Sequence, residues 1–209
     1  MTGQIHTRAE LSAVQHRRRR SVALGLALVM AVALCTGTQW DPASPTRVLI
    51  EDIGLVLIAV AIVGRAWCSL YIGGRKAAEL VTTGPYSISR NPLYFFSFVG
   101  ASGVGAQSGS LTLGVIFLLA TMSIFLPLIA REETFLAHTM PRFDAYRGLT
   151  PRLWPRLSLW RSPHEITVRP ALFLRTLFDG LPFVLAWPLF DGIEALQQSG
   201  LLPVIARWP

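Results

Sequence analysis

Apolar runs separated by short polar islands organise this chain. The runs cover about 21–36, 48–70, 93–106, 111–130 and 172–190. Roughly 20 apolar residues cross about 30 Å of hydrocarbon as a helix, so 48–70 and 111–130 read as full membrane spans. The run 93–106 is shorter and must tilt, or its helix must begin inside the preceding island. A polar turn, Gln107-Ser108-Gly109-Ser110, joins it to 111–130, and the two predict a helical hairpin over 92–130 with Pro127 as a kink. The run 172–190 predicts a further span although Arg175, Asp179 and Pro182 interrupt it. Residues 191–209 read as an interfacial helix or a partial return. The run 21–36 follows Arg17-Arg18-Arg19-Arg20 and lacks a convincing small-x-small cleavage site, so it reads as a retained first span and not a removed signal peptide. The pattern predicts an all-α polytopic membrane protein of about five transmembrane helices.

Composition agrees. Of 209 residues, 52% are hydrophobic and 15% charged, with a mean hydropathy of +0.47; soluble domains carry about 25% charge. One membrane-embedded domain over 1–209 follows, with a basic tail (1–20), a core (71–165) and C-terminal helices (170–209). The net charge of +7 could suggest nucleic acid. The basic residues instead crowd 1–20, 71–91 and 131–169, at the ends of apolar runs, as the positive-inside bias requires. That places the N-terminus and both large islands in the cytosol, in a bacterial inner membrane, with membrane lipids and not nucleic acid as partners. Cys35 and Cys68 lie in apolar runs, and His6, His16, His138 and His164 form no triad; no metal spacing exists. Glu51 and Asp52 sit at the outer end of their span. Arg65 lies inside it and either snorkels to headgroups or points at a ligand.

The informative chemistry sits in two islands. The first contains Thr83-Gly84-Pro85-Tyr86-Ser87-Ile88-Ser89-Arg90-Asn91-Pro92-Leu93-Tyr94. The second opens with Arg131-Glu132-Glu133 and carries Phe135, Leu136, Phe143 and Tyr146, a stripe suited to a helix lying on the membrane surface. Read singly, Glu132-Glu133 would cap such a helix, Tyr86 and Tyr94 would be belt residues and Arg90 a headgroup anchor. Gly100, Gly103 and Gly105 suit helix packing and not a dinucleotide fingerprint.

Together with Thr150-Pro151-Arg152-Leu153-Trp154-Pro155, these segments resemble the isoprenylcysteine carboxyl methyltransferase and phospholipid methyltransferase superfamily of integral membrane enzymes. The resemblance covers about 45–157. It implies S-adenosylmethionine as methyl donor, bound in cytosolic connections. By position it assigns Glu79, Leu80, Val81, Tyr86, Arg90, Asn91, Pro92, Leu93, Tyr94 and Glu132 to that cofactor, with Arg131 and Glu133 beside the reacting groups. Asn91 stands where that family most often has histidine; Asn cannot titrate near neutral pH, so a histidine proton transfer is excluded there. Leu128 stands where many members have a substrate-contacting arginine. The acceptor implied is lipophilic: an isoprenylcysteine-type carboxylate, a phospholipid amine or a small thiol.

The residues themselves suit such a donor. It presents a sulfonium, an ammonium and a carboxylate. Arg90 can fork onto a carboxylate, Glu132 or Glu133 can accept from an ammonium or ribose hydroxyl, and Tyr86 and Tyr94 can wall the adenine or face the sulfonium. Methyl transfer needs alignment and exclusion of water more than a strong base. Arg65, Arg131, Asp179 and the tail helices are the expected sources of acceptor selectivity. The competing class is a non-enzymatic transport or assembly subunit, whose charges within spans would mark a solute path.

Overall fold

A computed structural model of the protein describes residues 31–74 and 79–209. Residues 31–35 are helical and run into a short strand, β1 (Thr36–Thr38). The rest of the expected first span and the basic tail lie outside the described residues.

Helix α1 (Pro45–Ile72, 28 residues) begins with Pro at a position where the missing N–H costs nothing. Helix α2 (Pro85–Ile88) is a single turn in the first island, and α3 (Pro92–Ala106) again starts on a proline. Helix α4 runs from Leu111 to Thr139, 29 residues, with Ser110 Oγ accepting from the Leu113 amide at its start. After α5 (Phe143–Leu149) and an irregular stretch come α6 (Pro170–Gly180), a 3-10 segment and α7 (Ala186–Gln198). A second strand, β2 (Ala206–Trp208), pairs parallel with β1, Thr36 opposite Ala206.

Among the described residues, three stretches are long and apolar enough to cross a membrane: Pro45–Ile72, Leu111–Thr139 and Pro170–Gln198. The 15-residue α3 spans only about 22 Å, as its short apolar run foretold. Rows of exposed apolar side chains, such as Val56 and Val63 on α1, Val115 and Leu119 on α4, and Leu185 and Leu189 near α7, are what helices facing hydrocarbon present.

Small residues let the helices close. A Cβ on Gly103 of α3 would lie 2.6 Å from the Gly54 carbonyl of α1, and one on Gly105 would lie 2.5 Å from the Leu113 carbonyl of α4. These glycines therefore serve backbone approach, the packing mode of helices in lipid. At the end of the bundle away from the islands, Arg47 reaches Glu51 (2.7 Å) and, through both terminal nitrogens, Glu194 of α7. Ser110 Oγ donates to the Pro209 carbonyl at 2.8 Å there.

Two expectations are corrected. The chain does not leave its span at residue 130 to form a separate surface helix: no Gly or Pro interrupts 131–139, and α4 carries Glu132 and Glu133 within its own last turns. They are therefore not a helix-start cap. Residues 191–209 read from sequence as an interfacial helix or a partial return. They finish α7, turn at Gly200 (φ 77°) and close as β2.

Candidate cofactor site

The first island is held in place by the stretch after α5. Gly84 adopts φ 61°, and a Cβ there would overlap the Tyr71 ring, so only glycine makes the turn into α2. Its amide donates to the Arg161 carbonyl at 2.7 Å. The Arg161 amide in turn donates to Ser87 Oγ at 3.0 Å. Ser89 Oγ donates to the Leu153 carbonyl at 3.0 Å, and the Arg90 amide to the Pro151 carbonyl at 2.9 Å. The Arg156 amide donates to the Ile88 carbonyl at 2.9 Å, and Tyr146 Oη to the Tyr86 carbonyl at 2.6 Å. The Thr150-Pro151-Arg152-Leu153-Trp154-Pro155 segment is thus a strap that satisfies the buried polar groups of the island. Ser87 and Ser89 are 1% and 0% exposed, so each bond replaces water that cannot reach them.

Glu133 joins the two islands. Its Oε1 accepts from Asn91 Nδ2 at 3.0 Å and lies 3.3 Å from Arg90 Nε; its Oε2 lies 3.3 Å from Arg152 Nε. Asn91 Nδ2 also donates to the Arg152 carbonyl at 3.0 Å. The Asn in the histidine position therefore acts as a double donor that pins α3 to α4 and the strap.

A cavity of about 270 Å³ opens between the islands. It is lined by Glu79, Leu80, Val81, Tyr86, Arg90, Asn91, Pro92, Leu93, Tyr94, Glu132 and Glu133, so all ten residues expected at the cofactor share one space with the second glutamate. Ile72, Phe135, Leu136, Phe143 and Tyr146 complete it. Reading the residues as a surface stripe missed these last four as cavity walls. The signal was present: Glu132, Phe135 and Leu136 fall at i, i+3 and i+4, one face of a helix.

Three expectations do not carry over. Arg131 is exposed and off the cavity, because a neighbour on a helix points about 100° away. Arg90 is committed to Glu133 and, through Nη1, to the Arg147 carbonyl at 3.3 Å, so it is not a free fork for a ligand carboxylate. Asp179 pairs at 3.9 Å with Arg175 on an exposed face and is not among the residues lining the cofactor cavity.

Burial sets the electrostatics. It pushes the hydroxyl of Tyr86 well above the ordinary phenol value and raises that of Tyr146, so both remain neutral donors. Burial pulls the Arg90 guanidinium down, with Glu133 opposing. Among the described residues, the buried Tyr86 hydroxyl and Arg90 Nε have no hydrogen-bond acceptor or donor partner. A second cavity of about 320 Å³ lies at the opposite end, lined by Trp40, Asp41, Arg47, Glu194 and Arg207 among others; its Glu194 is already held by Arg47. Among the described residues no group of three or more His, Cys, Asp or Glu could hold a metal ion.

The sequence profile of the family described as phospholipid methyltransferase matches residues 53–141, from α1 through the end of α4. The chain belongs to the phospholipid methyltransferase family. Members of this family are membrane methyltransferases, and membership implies S-adenosylmethionine as the donor. The matched segment contains the first island, the α3–α4 hairpin and the glutamate pair. The chain is also 40% identical over 182 residues to a nickel-cobalt-cadmium resistance protein of Alcaligenes xylosoxydans xylosoxydans, covering 87% of this chain and 85% of that one. It is 35% identical over 177 residues to a cobalt-zinc-cadmium resistance protein of Cupriavidus metallidurans, covering 85% and 82%. No solved structure matches.

Proposed function

We propose that the protein transfers a methyl group from S-adenosylmethionine to a lipophilic acceptor that arrives through the bilayer. The observation that carries this reading is the single cavity onto which both islands open. Its residues fit the donor. The neutral Tyr86 hydroxyl lacks a partner among the described residues, as a group awaiting a ligand acceptor would. Glu79 and Glu132 bring carboxylates for an ammonium or ribose hydroxyls, and Leu80, Val81, Leu93, Phe135 and Leu136 give an adenine apolar walls. Glu133, held by the Asn91 amide and by ion pairs with Arg90 and Arg152, is a positioning residue that fixes α3 against α4. When bound, the donor supplies a methyl on a positively charged sulfur: the acceptor's lone pair forms the new bond to carbon, the sulfur keeps the old bonding pair, and S-adenosylhomocysteine leaves. The chain's part is alignment and exclusion of water.

The basic side chains Arg142, Arg147, Arg152, Arg156 and Arg161 all belong to the island end, which supports a cytosolic site in an inner membrane with a cytosolic N-terminus. The names of the two relatives add a setting of resistance to nickel, cobalt, cadmium or zinc. We place the reaction there as modification of a membrane component. The same names favour a second reading, a non-enzymatic subunit of a metal-resistance assembly. Incubating the purified protein in nanodiscs with methyl-tritiated donor and a lipid extract of its host separates them. Label in the organic phase, lost in Glu132→Ala, supports the enzyme; no transfer together with no donor binding supports the subunit.

A further inference from the structure

A third, mostly apolar cavity of about 370 Å³ lies deeper in the bundle, between α1, α3, α4 and the middle of the C-terminal span at Gly180 and Phe183. Ile62, Phe96, Val104, Phe117 and Phe183 are among its walls, and one charged side chain enters it, Arg65. Arg65 donates through Nη1 to Ser97 Oγ, and Ser97 Oγ donates onward to the Leu93 carbonyl at 2.8 Å. Among the described residues no carboxylate pairs with Arg65. A guanidinium within a span is costly unless an anion or dipole compensates it, and one hydroxyl supplies little.

The two cavities are stacked along the same helices. On α1, Arg65 lies seven residues, about 10 Å, deeper than Ile72, which lines the donor cavity. On α3, Ser97 follows Tyr94 by one turn. The rings of Tyr94 and Phe125 meet with centroids 5.5 Å apart, Tyr94 lining the donor cavity and Phe125 the apolar one.

We propose that this apolar cavity is the acceptor site and that Arg65 recognises an anionic headgroup, a carboxylate or phosphate, on a single-chain amphiphile. The inference rests on the methyltransferase reading and supplies its substrate class. The occupant is a free amphiphile and not a bulk phospholipid, because one guanidinium in an otherwise apolar space complements one small anionic group.

The test uses the full chain in phosphatidylcholine nanodiscs, with a diazirine-bearing palmitic acid and the matching diazirine-bearing hexadecanol as probes. The acid should label peptides of α3 and α4 about tenfold or more over the alcohol at equal concentration, the difference expected of a charge-assisted hydrogen bond. Arg65→Gln should reduce the acid to the level of the alcohol, Arg65→Lys should keep part of the preference, and Thr121→Phe, which fills the cavity with Arg65 intact, should lower labelling by both. Donor binding, measured by calorimetry, should change less than about twofold in Arg65→Gln. Equal labelling by acid and alcohol in the wild type overturns the proposal, as does unchanged acid labelling in Arg65→Gln. Loss of acid labelling in phosphatidylglycerol nanodiscs overturns it in favour of bulk lipid headgroups, and no labelling by either probe overturns it in favour of a cavity filled by residues 1–30. Failure of donor binding with the acid preference intact would instead count against the methyltransferase reading alone.

Discussion

Asn91 Nδ2 lies 3.0 Å from Glu133 Oε1 and 3.0 Å from the Arg152 carbonyl, so one amide group ties the start of α3 to the foot of α4 and to the strap that follows α5. Glu133 is 8% exposed and holds Arg90 and Arg152 as well. Glu133→Ala would leave Arg90 buried without a counter-charge. The expected cost is about 2–4 kcal/mol, read as a lowered thermal midpoint in a fixed detergent at a fixed scan rate. Glu132→Ala, one position along the helix, should cost less than half as much.

Tyr86 makes the opposite prediction. It is 5% exposed and its hydroxyl has no partner among the described residues. Removing an unsatisfied buried hydroxyl costs little, so Tyr86→Phe should keep stability within about 0.5 kcal/mol or raise it. If the hydroxyl serves the donor, affinity for S-adenosylmethionine should fall about five- to tenfold in calorimetry. A purely structural tyrosine would leave affinity unchanged.

The tyrosine hydroxyls also set an alkaline limit. Burial raises both Tyr86 and Tyr146 above the unfolded phenol value of about 10. The folded state then holds protons that the unfolded chain releases, so their contribution is intact below about pH 10 and is lost as pH rises through the raised values. The thermal midpoint should decline from about pH 10 upward. Tyr146→Phe should flatten that decline while lowering the midpoint at pH 7, because the Tyr86 carbonyl loses the donor now at 2.6 Å.

Helix closure depends on Gly103. Its Cα faces the Gly54 carbonyl and the Leu57 side chain of α1, with a Cβ position only 2.6 and 2.9 Å from them. Gly103→Leu should force α1 and α3 apart at a cost of about 1–3 kcal/mol or more, seen as a lowered midpoint and a smaller folded yield. Gly148→Ala, where a Cβ would meet nothing within 4 Å, is the control and should be nearly silent.

Much of this was legible in the order of the residues. Continuous apolar runs fixed α1 and α4, because in hydrocarbon the backbone must satisfy itself. The hairpin expected over 92–130 does begin at Pro92, and the two islands named residues that share one cavity. Three things were not legible. A drop in hydropathy after Ala130 looks like a helix end, but α4 continues through it since polar residues do not stop a helix that projects into water. Arg90 looked free because its partner is 43 positions away and nothing local points to it. The pairing of Arg47 with Glu194 and of β1 with β2 joins segments more than 140 residues apart, and such contacts leave no periodic trace.

Photolabelling with radiolabelled S-adenosylmethionine, followed by peptide mapping of the full chain in nanodiscs, tests the central claim most directly. The account predicts saturable label in peptides from 79–94 and 132–146, competed by S-adenosylhomocysteine. Saturable label in peptides of the opposite cavity, around Arg47 and Glu194, or no saturable label at all, would contradict it.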